Sequence, residues 1–134
     1  MQPGGDIGEV FTRLSKAVSH IEKHMNFAHD PSLGFITSCP TNLGTALRAS
    51  VHIALPHLAE KMDEFKEITD KYELQIRGIH GEHSESEGGV YDISNRRRLG
   101  RSEVNLVQDM YDGVRALIQR EKELEVQRIH NEEL

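Results

Sequence analysis

From Leu47 to Leu55 the apolar residues fall on every second position. Leu47, Ala49, Val51, Ile53 and Leu55 share one side, and Arg48, Ser50, His52 and Ala54 share the other. Successive side chains of a strand point to opposite faces, so this stretch predicts a β-strand with one apolar and one polar face, closed by Pro56. On either side of it the period changes. Ile7, Val10, Phe11, Leu14, Ala17, Val18, Ile21 and Met25 recur at spacings of three and four, the stripe of a long amphipathic helix. Leu106, Val107, Met110, Val114, Leu117, Ile118 and Leu124 repeat that pattern near the other end. A chain that alternates between these two periods has to bury helical stripes against a sheet, which is the α+β solution.

The boundaries follow from local chemistry. Asp6-Ile7-Gly8-Glu9 reads as a capping box, in which the Asp6 and Glu9 side chains satisfy free amides at a helix start. His29-Asp30-Pro31-Ser32 turns the chain, and Leu33 to Ser38 is a short strand candidate. Cys39-Pro40-Thr41-Asn42-Leu43-Gly44-Thr45 is a loop by its Pro, Asn and Gly content. A helix over Met62 to Tyr72 turns Phe65, Ile68 and Tyr72 inward. A strand over Glu73 to Ile79 sets Leu74 and Ile76 opposite Gln75, Arg77 and Ile79. His80 to Gly89 is a loop, Val90 to Ser94 a strand, Asn95 to Arg101 a turn, and Ser102 the cap of the last helix. Glu125 to Leu134 reads as a polar tail that frays. The expected fold is an antiparallel sheet backed by helices, one domain over residues 1–124 with a tail over 125–134.

Composition narrows the function classes. With 134 residues there is room for one modest domain. A net charge of -6 argues against a general surface for nucleic acid or anionic lipid, though not against a few arginines converging on one phosphate. Arg96-Arg97-Arg98 is the one basic cluster, and a solvated corner is its plainest reading. No apolar run approaches the roughly 20 residues of a membrane span, and Met1 to Asp6 shows no secretory signal. The lone Cys39 has no internal disulfide partner and fits a reducing compartment. The expected location is the cytoplasm.

Three places hold residues suited to chemistry. Arg48, Ser50 and His52 share a polar strand face, which is either a solvated surface or the wall of a ligand cleft; the arginine fork suits paired phosphate oxygens. The segment Arg77 to Gly89 surrounds Arg77, His80, Glu82 and His83 with glycines at 78, 81, 88 and 89. It reads as a plain surface loop or as one that supplies a cation and a carboxylate to a ligand. Zinc at His80 and His83 is disfavoured, because Gly81 opposes a helix and no second His or Cys pair has ligand spacing. Cys39 is either a small hydrophobe or a thiolate stabilised by neighbours such as Thr41. His20, His24, His29, His57 and His130 read as surface positions.

Several of these stretches resemble the phosphagen (ATP:guanidino) kinases. The likeness rests on Cys39-Pro-Thr-Asn-Leu-Gly-Thr45 followed by Leu47-Arg-Ala-Ser-Val-His-Ile53. It also rests on Arg77-Gly78 with Gly81-Glu82-His83-Ser84-Glu85, and on Val90-Tyr-Asp-Ile-Ser-Asn95 with Arg97-Arg98-Leu99-Gly100. It runs from Met1 to about Glu123. The resemblance implies part of a glutamine-synthetase/guanidino-kinase-like catalytic domain and reversible transfer of the terminal phosphoryl group of MgATP to a guanidino nitrogen. By the same likeness Arg48 and Arg77 match phosphate-binding arginines, and His52 lines the nucleotide site. Gly78, Ile79, His80 and Gly81 belong to its loop, and Asp92 lies near it. Glu82 matches a carboxylate that holds the substrate guanidinium, and Cys39 the thiol beside it; both are expected catalytic and substrate-binding residues. Mg2+ is expected with ATP, and no protein-held metal.

Gly-Glu-His around Glu82 resembles the family members that use L-arginine rather than creatine. Ile79-His80 stands where Thr-Arg is commoner in those, and Ser38 where an aromatic is usual. Taurocyamine, lombricine and glycocyamine remain alternative substrates, and a non-catalytic regulatory or scaffold module of the same fold remains an alternative role. Met1-Gln-Pro-Gly-Gly-Asp resembles an internal stretch of the family. The expected partners are therefore ATP or ADP, a guanidino compound and the rest of the same enzyme. The chain alone is expected to be inactive, with an exposed sheet edge open to self-association.

Overall fold

A computed structural model describes residues 1–78 and 88–134. They form two compact units, Met1–Arg48 with Arg97–Val107, and Ala49–Arg96 with Gln108–Leu134. The last helix, α4 (Glu103–Glu132), starts in the first range and continues through the second.

In the first unit, α1 (Ile7–Glu22) starts at Asp6, whose carboxylate accepts from the Glu9 amide at 2.9 Å. Only that half of the expected capping box forms. The Glu9 carboxylate accepts instead from Gln2 Nε2 at 2.8 Å, while the Gln2 oxygen takes Arg13 Nη1 at 2.7 Å. Gln2 thus bridges one turn of the helix and outcompetes the Asp6 amide. No residue of α1 is buried; Val10, Leu14 and Ile21 are each more than 40% exposed, so the stripe read from the sequence is left partly open among the described residues.

The chain then turns at Asp30, whose Oδ1 accepts from the amides of Ser32 and Leu33 at 2.8 and 2.9 Å. This closes a hairpin of β1 (His29–Asp30) and β2 (Gly34–Phe35). The strand expected over Leu33 to Ser38 shrinks to two residues. Phe35 pairs on its other side with Gly44, by bonds of 2.7 and 3.3 Å, and Pro40–Asn42 winds into a 3-10 turn.

The second unit is a three-stranded antiparallel sheet with helices. β3 (Ser50–Ala54), β4 (Leu74–Gly78) and β5 (Val90–Asn95) stand in the order β3-β5-β4. β3 is shorter than the alternation from Leu47 predicts. Ala46 sits at φ +53°, and the Ala49 amide bonds to the Asn95 side chain at 2.8 Å while its carbonyl accepts from the Asn95 amide at 3.4 Å. Val51, Ile93 and Ile76 oppose one another across the sheet on the face away from the polar row. Phe65 of α3 (Met62–Lys71) packs its ring edge-on to Tyr91 at 5.1 Å.

The core of this unit comprises Leu55, Leu58, Phe65, Leu74, Ile93, Met110 and Leu117, each at most 1% exposed. Burying such side chains stabilises the fold by about 1.5–3 kcal/mol each. Gly113 lets α4 approach closely, since a Cβ there would lie 2.4 Å from Leu74 Cδ1.

Two local readings need correcting. Pro56 ends β3 and also opens a short helix, α2 (Pro56–Ala59), held by the Glu121 carboxylate from α4: its two oxygens accept from the His57 and Leu58 amides at 2.8 Å each. And Glu125 to Glu132 does not fray but stays helical. Arg128 pairs with Glu132 at 3.0 Å with a spacing of four. Glu, Gln, Leu and Arg are strong helix formers, so a polar tail in solvent remains helical where such pairs recur.

Candidate functional site

The polar face of the sheet is set by register. In an antiparallel sheet directly opposed residues project to the same side. β5 pairs His52 with Asp92 on one flank and Arg77 with Asp92 on the other. The three side chains therefore form one row, basic–acidic–basic once His52 is protonated. His52 Nε2 lies 3.8 Å from Asp92 Oδ2, with the side chains 30% and 13% exposed. A second row on the same face holds Ser50, Ser94 and Gln75. Arg77 Nη2 donates to Gln75 Oε1 at 3.1 Å. Ser94 is fully buried, and its hydroxyl has no hydrogen-bond partner among the described residues. A guanidinium fixed on a strand can hold a phosphate-like anion with little reorganisation, and here Asp92 separates it from His52 in the row.

Cys39 lies in the first unit, at the start of the 3-10 turn, and is exposed. Its sulfur is 2.9 Å from Thr41 Oγ1. The Thr41 hydroxyl and then the Thr41 amide hold the thiol below its ordinary value, with a smaller contribution from the Arg98 charge. Hydrogen bonds to an anion favour the anion, so this is the geometry of a nucleophilic or electrostatically active thiolate. The turn is pinned from behind. Gly44, at φ +112°, lies between Phe35 and Arg98, and a Cβ there would meet Arg98 O at 2.4 Å. Thr45 bonds through its amide to the Arg98 carbonyl at 2.8 Å.

The remaining sequence-derived candidates fall as follows. Arg48 closes the first unit, outside β3, and is exposed. Gly78 is buried at the end of β4, opposite Tyr91. Ile79, His80, Gly81 and Glu82 lie outside the described residues, as does the His80/His83 pair weighed for zinc. Among the described residues no group of three His, Cys, Asp or Glu side chains is placed to hold a metal ion. No described helix is long and apolar enough to cross a membrane. The sequence reading put Gln75 on the Arg77 face but missed its contact with the guanidinium. It also missed Glu121, for which only a carboxylate within a helical stripe was visible.

Comparison with known proteins decides the family. The model of the ATP:guanido phosphotransferase, C-terminal catalytic domain, matches residues 1–124. The chain belongs to this family. Among curated ATP:guanido phosphotransferases it is 61% identical over 126 residues to "Arginine kinase" of Anthopleura japonica, covering 92% of this chain and 18% of that protein. It is 57% identical over 124 residues to "Arginine kinase" of Penaeus japonicus, covering 92% and 35%. The chain thus spans about a third or less of the curated relatives it matches. The duplicated taurocyamine kinase of Schistosoma mansoni, solved with bound transition state analog components, superposes with a TM-score of 0.86 at 47% identity, over 90% of this chain and 17% of that one. The mixed helical and antiparallel fold expected from the sequence is that of these ATP:guanido phosphotransferases.

Proposed function

We propose that this chain forms part of the nucleotide-binding face of an arginine kinase, an enzyme that reversibly transfers the γ-phosphoryl group of MgATP to a guanidino nitrogen of L-arginine. The observation that carries the reading is the register placing His52, Asp92 and Arg77 in one row. It supplies a fixed cation, Arg77, of the kind phosphoryl transfer needs for alignment and charge neutralisation. Arg77 and Arg48 hold phosphate oxygens, and His52 and Asp92 line the nucleotide. Glu82 orients the planar guanidinium and takes its proton, while the Cys39 thiolate adds negative charge on that side. The nitrogen lone pair forms the new N–P bond as the bond from the γ-phosphorus to the bridging oxygen breaks, and ADP leaves with that electron pair. Mg2+ enters as part of the MgATP substrate.

Identity to arginine kinases of 61% and 57% favours arginine. The structural likeness to a taurocyamine kinase keeps that compound as the second reading. The remaining two thirds of an enzyme of this length would complete the site, so this chain alone is proposed to give no turnover, and the outer strands β3 and β4 would be the edges it completes or through which copies associate. An exposed unpaired thiol fits a reducing compartment, the cytoplasm. The test is to assay the full-length protein with MgATP against arginine, taurocyamine, lombricine and glycocyamine. Arginine should give the highest kcat/KM. Transfer to none of them would make the protein a non-catalytic module, and preference for another would reassign the substrate.

A further inference from the structure

We infer that Gln75 is a positioning residue for Arg77: its side-chain amide aims the guanidinium from within the sheet while leaving the positive charge intact. The inference rests on the reading of Arg77 as a phosphate ligand and adds to it the device that orients that arginine.

Arg77 Nη2 donates to Gln75 Oε1 at 3.1 Å. An arginine side chain has donors only, so the amide atom that faces it has to be the oxygen. The two residues are two apart on β4 and therefore project to the same face. Gln75 is the long side chain of its row. Its neighbours across the sheet are Ser94 and, beyond it, Ser50, whose side chains are shorter.

The choice of acceptor matters. A mobile arginine side chain carries rotamer entropy, which a phosphate would have to overcome to order it. A neighbouring acceptor removes part of that cost beforehand. A carboxylate at position 75 would bond more strongly, since charge-assisted bonds are shorter and tighter. It would also place Arg77 between two acids, because Asp92 already opposes it on β5. The positive charge offered to a phosphate would then be cancelled. A neutral amide orients the guanidinium and leaves its charge for the ligand.

Four variants of the full-length enzyme test this: Gln75→Met, Gln75→Glu, Arg77→Ala and Gln75→Met with Arg77→Ala. ADP affinity by calorimetry, KM for each substrate and thermal unfolding are the readouts. Gln75→Met should weaken ADP binding about three- to tenfold and leave the guanidino KM within about twofold. Gln75→Glu keeps an acceptor and should be the weaker binder of the two. In the Arg77→Ala background, Gln75→Met should add nothing to the loss of ADP affinity, whatever it does to stability. Normal ADP binding by Gln75→Met, while Arg77→Ala binds poorly, overturns the inference and leaves the arginine assignment standing. So does Gln75→Glu binding ADP as tightly as the parent, or both substrate KM values rising together. If Arg77→Ala itself binds ADP normally, the nucleotide reading of Arg77 fails, and the role of Gln75 fails with it.

Discussion

His52 and Asp92 face each other across β3 and β5, with Nε2 and Oδ2 3.8 Å apart, and Arg77 faces the same Asp92 from β4. One carboxylate at 13% side-chain exposure thus stands between two basic side chains on the central strand. Asp92→Asn keeps the volume and removes the charge. It should lower the unfolding free energy of this chain by about 1–3 kcal/mol, the range for a desolvated charged hydrogen-bonding group, seen as a lower urea midpoint at unchanged slope. His52→Ala in the Asp92→Asn background should then cost less than in the parent. An unchanged midpoint for Asp92→Asn would show that the carboxylate does not support the basic groups on either side.

Glu121 joins α4 to the corner where β3 ends. Its carboxylate accepts from the amides of His57 and Leu58, and Leu58 is fully buried, so removing the acceptor strands a donor away from water. One residue before Pro56, the Leu55 amide bonds to Gly89 O at 2.9 Å, which ties the same corner to the start of β5. Glu121→Ala should destabilise the chain by about 1.5–3 kcal/mol, as for hydrogen bonds to a charged acceptor. The Leu58 amide should exchange with deuterium faster than in the parent. Protection of Leu58 at parental levels would mean that another group caps α2.

Much of this architecture was legible because it is local. The alternation around Val51 and Ile53 gave a strand with a polar and an apolar face, the Asp6 cap gave the start of α1, and Ser102 gave the start of α4, where its hydroxyl accepts from Asn105 N at 3.2 Å. What escaped depends on distant residues. Chain order alone would set β3 beside β4, whereas β5 inserts between them, and only that order puts Asp92 opposite both His52 and Arg77. The four residues of α2 have too little periodicity to be seen, and their cap lies 63 and 64 residues away. The helical tail escapes a reading by polarity, which suggests fraying, because exposed helices need only propensity and spaced pairs. Of the site, the residue types at 52, 77 and 92 were legible, but their common row was not.

The Cys39 thiol provides a pH-dependent test. Hydrogen bonding from the Thr41 hydroxyl, then from the Thr41 amide, holds it below the ordinary thiol value, with help from Arg98. Each stabilises the thiolate, the reactive form. Thr41→Val removes the hydroxyl and keeps the amide and the shape. The folded-state value should therefore rise part of the way back, and the thiolate fraction near neutral pH should fall. The rate of alkylation by iodoacetamide, followed against pH, should show its inflection at higher pH in Thr41→Val than in the parent. Coincident profiles would remove the hydroxyl from any role at the thiol.

Gly44 supplies the sharpest packing test. It is buried, sits at φ +112° and is enclosed by backbone on both sides. Its amide and carbonyl pair with Phe35 at 3.3 and 2.7 Å, and a Cβ would come within 2.4 Å of Arg98 O and 2.7 Å of Leu99 Cα. Neither neighbour is a flexible side chain that can swing aside, and the φ value is one that L side chains rarely adopt. Gly44→Ala should therefore cost at least about 2 kcal/mol from backbone strain and overpacking together. The damage should be concentrated in the first unit: amide protection should be lost at Phe35 and Thr45, whose bonds to Gly44 and Arg98 would have to lengthen, while Ile93 in the second unit keeps its protection. Gly100→Ala is the control, since it has a similar positive φ of +79° but open space around the added carbon, and it should cost markedly less. Equal losses for the two variants would mean that the left-handed backbone alone sets the cost, and that the contact with Arg98 does not hold the Cys39 turn in place.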